Sequence, residues 1–439
     1  MRDYQKRIKD LMVEHPRLAL FVDMGCGKTL TTLKALEQIK GKTLLIAPIR
    51  VCETVWREEA TKWNIRLSFS LLRGTPRERI NALKLDTDVY LINPELLGWL
   101  FHQRELPEFN TLVIDESSLF KSSKTERFKI LKRQLKSFER RYILTGTPSP
   151  NSYTDLWSQI GILDNGKRLG TAFGRFRDLY FESDYLGFTW TIRQGAKEKI
   201  ETLLTDIVVR LDAKEYLEIP ELTEIDVEVN LSPAELGQYQ KFAKEMITDF
   251  GDQKLTALSA GALYAKLSQL ANGMVYLEEG VVHTLHKRKL ETLVEIVETI
   301  NSPVIITYKY IHERDEIMKL FPKAVLFNKG DSKKHIEDWN AGKIDQLLIH
   351  PKSGGHGINC QEGGHHIIWF GMVSSLEEYL QTNKRLHRSG QLKPVIVYRL
   401  ISKETVDEKI AKTLSCKNDM QEGFLSAMKK TLLQIRDIS

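Results

Sequence analysis

Short apolar runs alternate along the first third of the chain with stretches whose apolar residues recur every three or four positions. The runs are Leu18–Val22, Thr43–Ala47, Asp88–Asn93, Thr111–Ile114 and Arg141–Leu144. Runs of this length, ended by Pro48, Pro94 or a polar pair, read as buried strands. The periodic stretches predict helices over Lys6–Glu14, Leu30–Ile39, Val51–Trp63 and the flanks of Arg77–Leu85. Strands alternating with helices imply a parallel sheet, with functional loops at the carboxyl ends of its strands. Arg50 and Asn93 fall at such ends, as polar loop residues or as ligand contacts.

From 150 to 285 the texture changes. Trp157, Phe173, Phe176, Tyr180, Phe181, Tyr185, Phe188 and Trp190 crowd a mostly helical or irregular stretch, where packing of a small subdomain is favoured over base stacking. Val208–Leu211 and Glu224–Leu231 read as extended, and Ser232-Pro-Ala-Glu235 reads as a capped helix start. Alternation resumes near His286, with strands at Pro303–Tyr308, Ala324–Phe327, Gln346–His350, His366–Phe370 and Pro394–Tyr398. The helices expected between them are Lys287–Ile300, Ile311–Phe321, Lys333–Ala341 and Leu376–Leu386. The expected division is therefore an α/β domain over 1–150, a mainly helical insertion over 151–285, a second α/β domain over 286–415 and a helical tail over 416–439. A length of 439 residues agrees with two or three domains.

Composition narrows the picture only a little. A hydrophobic share of 42% and a charged share of 28% are those of an ordinary soluble protein, and a net charge of +6 mildly favours a polyanionic partner. Cys26, Cys52, Cys360 and Cys416 stand far apart, forming neither a disulfide framework nor a zinc site, which suits a reducing cytoplasm. The polar start Met1–Arg7 is no signal peptide, and no apolar run is long enough to span a bilayer.

The chemistry gathers at strand ends. Asp23-Met-Gly-Cys-Gly-Lys-Thr29 follows the first apolar run and precedes a helical stretch, the setting of a phosphate cradle. Gly25 and Gly27 let backbone N–H groups converge on an anion, Lys28 would reach the β- and γ-phosphates, and Thr29 would ligate Mg²⁺. Val22 stands where the full pattern has a small residue. Gln5, just upstream, could read an adenine edge, because an amide donates and accepts at once. Asp115-Glu116 end another strand, where two carboxylates need a cationic partner; Asp115 would hold the metal and Glu116 would orient and deprotonate water. The stretch Lys121–Arg141 carries nine Lys/Arg against two Glu, a solvated face or a phosphate-backbone contact. Arg385 and Arg388, three apart, would share one helix face and could meet a γ-phosphate, or could be salt-bridged at the surface.

Tyr4-Gln5, Gly-x-Gly-Lys28-Thr29, Asp115-Glu116, Thr145-Gly-Thr-Pro148, Ser353-Gly-Gly-His-Gly-Ile-Asn359 and Gln381-x-x-x-Arg385-x-x-Arg388-x-Gly-Gln391 occur in this order over nearly the whole chain. In that order they resemble superfamily 2 helicases and translocases. The wording of the last motif, together with Lys266–Asn272, is similar to the chromatin-remodeller-like (Swi/Snf-related) branch in a minimal phage or bacterial form. The resemblance implies two tandem RecA-like α/β domains of P-loop NTPase type with ATP and Mg²⁺ clamped in a cleft between them. It implies Thr145, Gly146 and Thr147 as coupling residues, Gly357 and Gln381 as further nucleotide contacts, and Arg385 and Arg388 as arginine fingers. It also implies DNA-stimulated ATP hydrolysis with translocation on duplex or branched DNA, by a monomeric motor in the cytoplasm of a bacterium or a phage-infected host. An RNA-dependent ATPase, and a motor subunit that needs a nuclease or repair partner, are the rival readings. Ser117-Ser118 replace the small residue and histidine usual after Asp-Glu, and Lys384 replaces a common acid. The chain opens at Tyr4-Gln5 and ends in one helical stretch, suggesting a motor core with few attachments.

Overall fold

The structure is a computed structural model that describes residues 1–149, 151–183, 190–251, 257–277, 281–327, 332–352 and 359–428. The chain divides into two compact units, 1–217 with 417–439, and 218–416.

The first unit is built on seven strands: β1 (Arg17–Val22), β2 (Lys42–Ile46), β3 (Phe69–Leu71), β4 (Val89–Ile92), β5 (Phe109–Asp115), β6 (Arg140–Thr145) and β7 (Val208–Leu211). They lie in the order β3-β4-β2-β5-β6-β1-β7, and every pairing is parallel. Parallel strands covered on both faces need near-continuous apolar sequence. Leu18–Val22, Leu44–Ala47, Val89–Ile92 and Leu112–Ile114 are accordingly all buried. Helices α1 (Asp3–Glu14), α2 (Lys28–Leu36) and α3 (Thr154–Asp164) belong to this unit. The aromatics after 150 pack: Trp157, Phe176 and Phe181 sit in the core, with Phe173, Tyr180 and Trp190 against them. Tyr185 and Phe188 lie outside the described residues.

The second unit holds a six-stranded parallel sheet of β8 (Leu222–Val229), β9 (Val304–Thr307), β10 (Val325–Leu326), β11 (Gln346–Ile349), β12 (His366–Trp369) and β13 (Val395–Ser402). The order is β8-β13-β12-β9-β11-β10. Its helices include α4 (Pro233–Gly251), α5 (Ala257–Ala271), α6 (Arg288–Ile300) and α7 (Leu376–Asn383). Lys289 of α6 is wholly buried; its Nζ donates to Asp407 Oδ2 (2.5 Å), Asn272 Oδ1 (2.7 Å) and the Phe370 carbonyl (3.1 Å). Asn272 in turn donates to Glu313 Oε1 (2.6 Å). This network fastens the end of α5 to the carboxyl ends of β12 and β13.

The alternation of strands and helices is as the sequence predicts, but the boundaries at 150 and 285 are not where the chain divides. Val208–Leu211 is the edge of the first sheet, in register with Ala19–Val22, and Leu222–Val229 pairs over its full length with Val395–Ser402 in the second. The expected insertion is therefore shared between the two units, each sheet recruiting a strand from it. The three-residue strand β3 and two small hairpins, Phe181–Ser183 with Trp190–Ile192 and Met274–Tyr276 with Val282–Thr284, carry no distinguishing sequence pattern. No helix among the described residues is long and apolar enough to cross a membrane.

Candidate functional site

Because β5 pairs with β6 and β6 with β1, three strand ends lie side by side, and their loops carry most of the predicted residues. After β1 the backbone turns through Gly25 (φ 83°) and Gly27 (φ 78°), left-handed conformations that glycine takes without penalty. Gly27 caps α2, placing Lys28 and Thr29 in its first turn. Gln5 of α1 lies against this turn, and a Cβ on Gly27 would stand 2.3 Å from Gln5 Nε2. The Gln5 amide is engaged at both ends: Nε2 donates to the Cys26 carbonyl (3.3 Å), and Oε1 accepts from the Arg2 N–H (2.9 Å). Tyr4 Oη also donates to Cys26 (3.3 Å). Lys28 Nζ donates to the Val22 carbonyl (2.6 Å), so its charge closes the loop on itself.

The loop has an anchor that no motif announces. Asp23 Oδ1 lies 3.5 Å from Arg210 Nη1 of β7, and Asp23 Oδ2 accepts from the Ala213 N–H (3.1 Å). The Arg210 guanidinium also donates to the Phe21 carbonyl (3.2 Å). Arg210 was legible only as part of an extended run.

At the end of β5, burial raises the Asp115 carboxyl above its usual range, against the opposing charge of Lys28 and the Trp56 N–H, which donates to Oδ2 at 3.0 Å. Lys28 and Asp115 are thus brought within electrostatic reach. Oxygen donors of the Thr29 and Asp115 type are those a magnesium ion takes, and a cation would offset the cost of burying this carboxylate. Glu116 is buried in a left-handed conformation (φ 69°), uncommon for a residue with a side chain. Its Oε1 accepts from Thr145 Oγ1 (2.5 Å) and from Ser118 Oγ (2.8 Å). Thr145 Oγ1 also accepts from the Thr147 N–H (3.0 Å), and a Cβ on Gly146 would lie 3.6 Å from the Val22 carbonyl. The Asp-Glu turn, the Thr-Gly-Thr loop and the glycine turn therefore meet at one place.

The basic stretch is mixed. Arg141 is buried and donates to the Ile162 carbonyl, and Arg140 donates to the Met12 and Val13 carbonyls. Lys124, Lys129, Lys132, Arg133 and Lys136 are exposed.

In the second unit Gln381 lies on α7, buried, with an Nε2 that has no hydrogen-bond partner among the described residues. Arg385 and Arg388 do not share a helix face, as their spacing suggested. The helix ends at Asn383, and the chain tightens into turns closed by Arg385 N–H to Thr382 and Leu386 N–H to Asn383. Burial of Leu386 and a staple by Gln391, whose Nε2 donates to the Gln361 and Gly364 carbonyls, hold this shape. The two arginines converge in another way. Arg388 donates to Asn359 Oδ1, Arg385 is buried, and both charges act on the Cys360 thiol, which burial pushes up to about 12. Gly357, with the rest of Ser353–Ile358, lies outside the described residues. Lys309 points inward, donating to Ser268 Oγ (3.0 Å) and the Met372 carbonyl (3.3 Å).

Comparison with known proteins decides the family. The SNF2-related domain matches residues 4–284. The chain belongs to the SNF2-related family. Protein p41 of Acyrthosiphon pisum secondary endosymbiont phage 1 is 32% identical over 98% of both chains. The transcription regulatory protein SNF2 of Saccharomyces cerevisiae is 24% identical over 98% of this chain but 28% of its own length, and the ATP-dependent helicase fft3 of Schizosaccharomyces pombe is 24% identical over 90% of this chain and 53% of its own. The chain thus spans nearly all of its phage relative and about half or less of these cellular ones. A solved structure, the Sulfolobus solfataricus SWI2/SNF2 ATPase core in complex with dsDNA, is 22% identical at a TM-score of 0.46, covering 100% of this chain and 96% of that one. This SNF2-related chain is an ATP hydrolase of helicase/translocase type, with a parallel α/β sheet in each of its two units.

Proposed function

We propose that this SNF2-related protein is a DNA-stimulated ATPase that moves along duplex or branched DNA. The observation that carries the reading is the 2.5 Å bond from Thr145 to Glu116, a direct link between the carboxylate suited to orient water and the loop that follows the next strand. In this reading Gly25, Gly27 and the start of α2 cradle the phosphates, and Lys28 leaves the Val22 carbonyl for the β- and γ-phosphate oxygens. Gln5 contacts the adenine edge. Thr29 and Asp115 hold magnesium, which when bound neutralises phosphate charge. Glu116, fixed by Thr145 and Ser118, positions and deprotonates the attacking water. Arg385 and Arg388 stabilise the charge that develops on the γ-phosphoryl group, with Gln381 and Gly357 as further nucleotide contacts. Thr145, Gly146 and Thr147 pass the state of the site to bound DNA.

The test is steady-state ATP hydrolysis without nucleic acid and with single-stranded DNA, duplex DNA, forked DNA or RNA. Stimulation by duplex or forked DNA, abolished in Lys28→Ala and in Arg388→Ala, is expected. Stimulation by RNA alone would replace the reading with an RNA-dependent ATPase, and no stimulation by any polymer would replace it with a motor subunit awaiting a protein partner.

A further inference from the structure

The Thr-Gly-Thr-Pro loop is tied to the Asp-Glu turn twice. One tie is Thr145 to Glu116. The other runs through a residue outside every motif. Gln159, on α3, has no exposed surface; its Oε1 accepts from Ser117 Oγ (2.6 Å), and its Nε2 donates to the Pro148 carbonyl (2.6 Å) and the Asp155 carbonyl (2.9 Å). Asp155, on the same helix face, accepts from Asn151 N–H (2.9 Å) and Nδ2 (3.1 Å). The first turns of α3 therefore grip the far end of the loop while holding Ser117.

Three facts make this more than core packing. Pro148 has no N–H, so its carbonyl is the only backbone handle at that position. Within the same loop the hydroxyls of Thr147 and Ser149 are buried without hydrogen-bond partners among the described residues, so those side chains do not anchor it. Ser117 directly follows Glu116, whose left-handed backbone is a place where a turn can relax when its contacts change. A planar amide bonded at both ends by 2.6 Å contacts carries a displacement of Ser117 to Pro148 with little slack.

We propose that Gln159 is a positioning residue that makes the Asp-Glu turn and the Thr-Gly-Thr-Pro loop move as one body, so that a change at Glu116 reaches residues 145–149 through Ser117. The inference rests on the coupling role given to that loop above. It assigns to Ser117 and Gln159 the link for which Ser117-Ser118 is an unusual sequence. Gln159→Leu keeps the bulk and removes every amide bond; Ser117→Ala removes only the acceptance at Oε1.

Two readouts on the full-length protein test it. In hydrolysis assays with and without duplex DNA, Gln159→Leu should keep basal kcat and the KM for ATP within about twofold, while the DNA-stimulated to basal ratio falls about tenfold or more. Ser117→Ala should move the ratio in the same direction. In hydrogen exchange, binding of a slowly hydrolysed ATP analogue should slow the amides of 145–149 in the parent and leave them unchanged in Gln159→Leu. The second readout needs no DNA, so it still decides the matter if the parent proves insensitive to DNA and the motor reading fails. If Gln159→Leu does not fold, Ser117→Ala carries both tests. An unchanged ratio with unchanged nucleotide-induced protection, or an equal fall of basal and stimulated rates with a lowered melting temperature, would overturn the proposal.

Discussion

Replacing Gly27 with alanine tests the phosphate cradle through two separable costs. The first is conformational: a φ of 78° is left-handed, and an alanine there costs about 1–2 kcal/mol. The second is steric. The new Cβ would stand 2.3 Å from Gln5 Nε2, so the amide must leave, giving up its bonds to Cys26 and Arg2 at about 1 kcal/mol each. An empty loop can relax out of the strained shape, but a bound triphosphate needs it restored, so the cost is expected in affinity. Together the terms reach about 3–4 kcal/mol, a weakening of roughly 150-fold to 700-fold at 1.4 kcal/mol per decade. Gln5→Ala in the same molecule removes the clash and leaves the φ term. The double variant should therefore bind better than the sum of the single losses predicts, by a coupling of about 1–2 kcal/mol. Calorimetric titration with a slowly hydrolysed ATP analogue across the four proteins measures this directly. Additive losses, or an alanine at 27 that binds like the parent, would refute the geometry.

Gly146→Ala should be benign despite its place in a motif, since the added methyl meets nothing closer than 3.6 Å and the φ there is not positive; ATPase rates should stay within about twofold, equivalent to ~0.5 kcal/mol. Lys289→Met should strand the buried Asp407 carboxylate and destabilise the second unit by about 3–5 kcal/mol, and Lys289→Met with Asp407→Leu should recover most of it, read as shifts in denaturant midpoint. Buried His286, His312 and His366 are each held down to about 4 by burial. Unfolded, they take up protons near pH 6.5, so the second unit should be most stable above that value and lose stability as pH falls from about 6.5 toward 4. Melting profiles that do not change across that window would refute this.

Much of the site was legible because its chemistry is local. A glycine turn between strand and helix, and carboxylates ending an apolar run, need only neighbouring residues to be recognised. What was hidden depends on partners far along the chain. Arg210 reaches Asp23 across 187 positions because β7 closes the sheet beside β1, and a four-residue extended run does not say where it will pair. Gln159 looks like any polar residue on a helix until Ser117 and Pro148 are seen at its two ends. The arginine pair shows the opposite error. The helical spacing of the sequence runs on past Asn383, where the burial of Leu386 and the Gln391 staple make turns instead.

The position of β7 bears on how the protein is made. A chain emerging from the ribosome has β1 to β6 in hand by residue 145, but the outer edge of β1, the strand that leads into the glycine turn, has no neighbour until residues 208–211 follow. For that interval a flat apolar strand edge is open to any other extended segment. The sixty-odd residues between β6 and β7 are thus a delay during which the nascent first unit is most prone to mispairing, and truncation anywhere within them would make that exposure permanent.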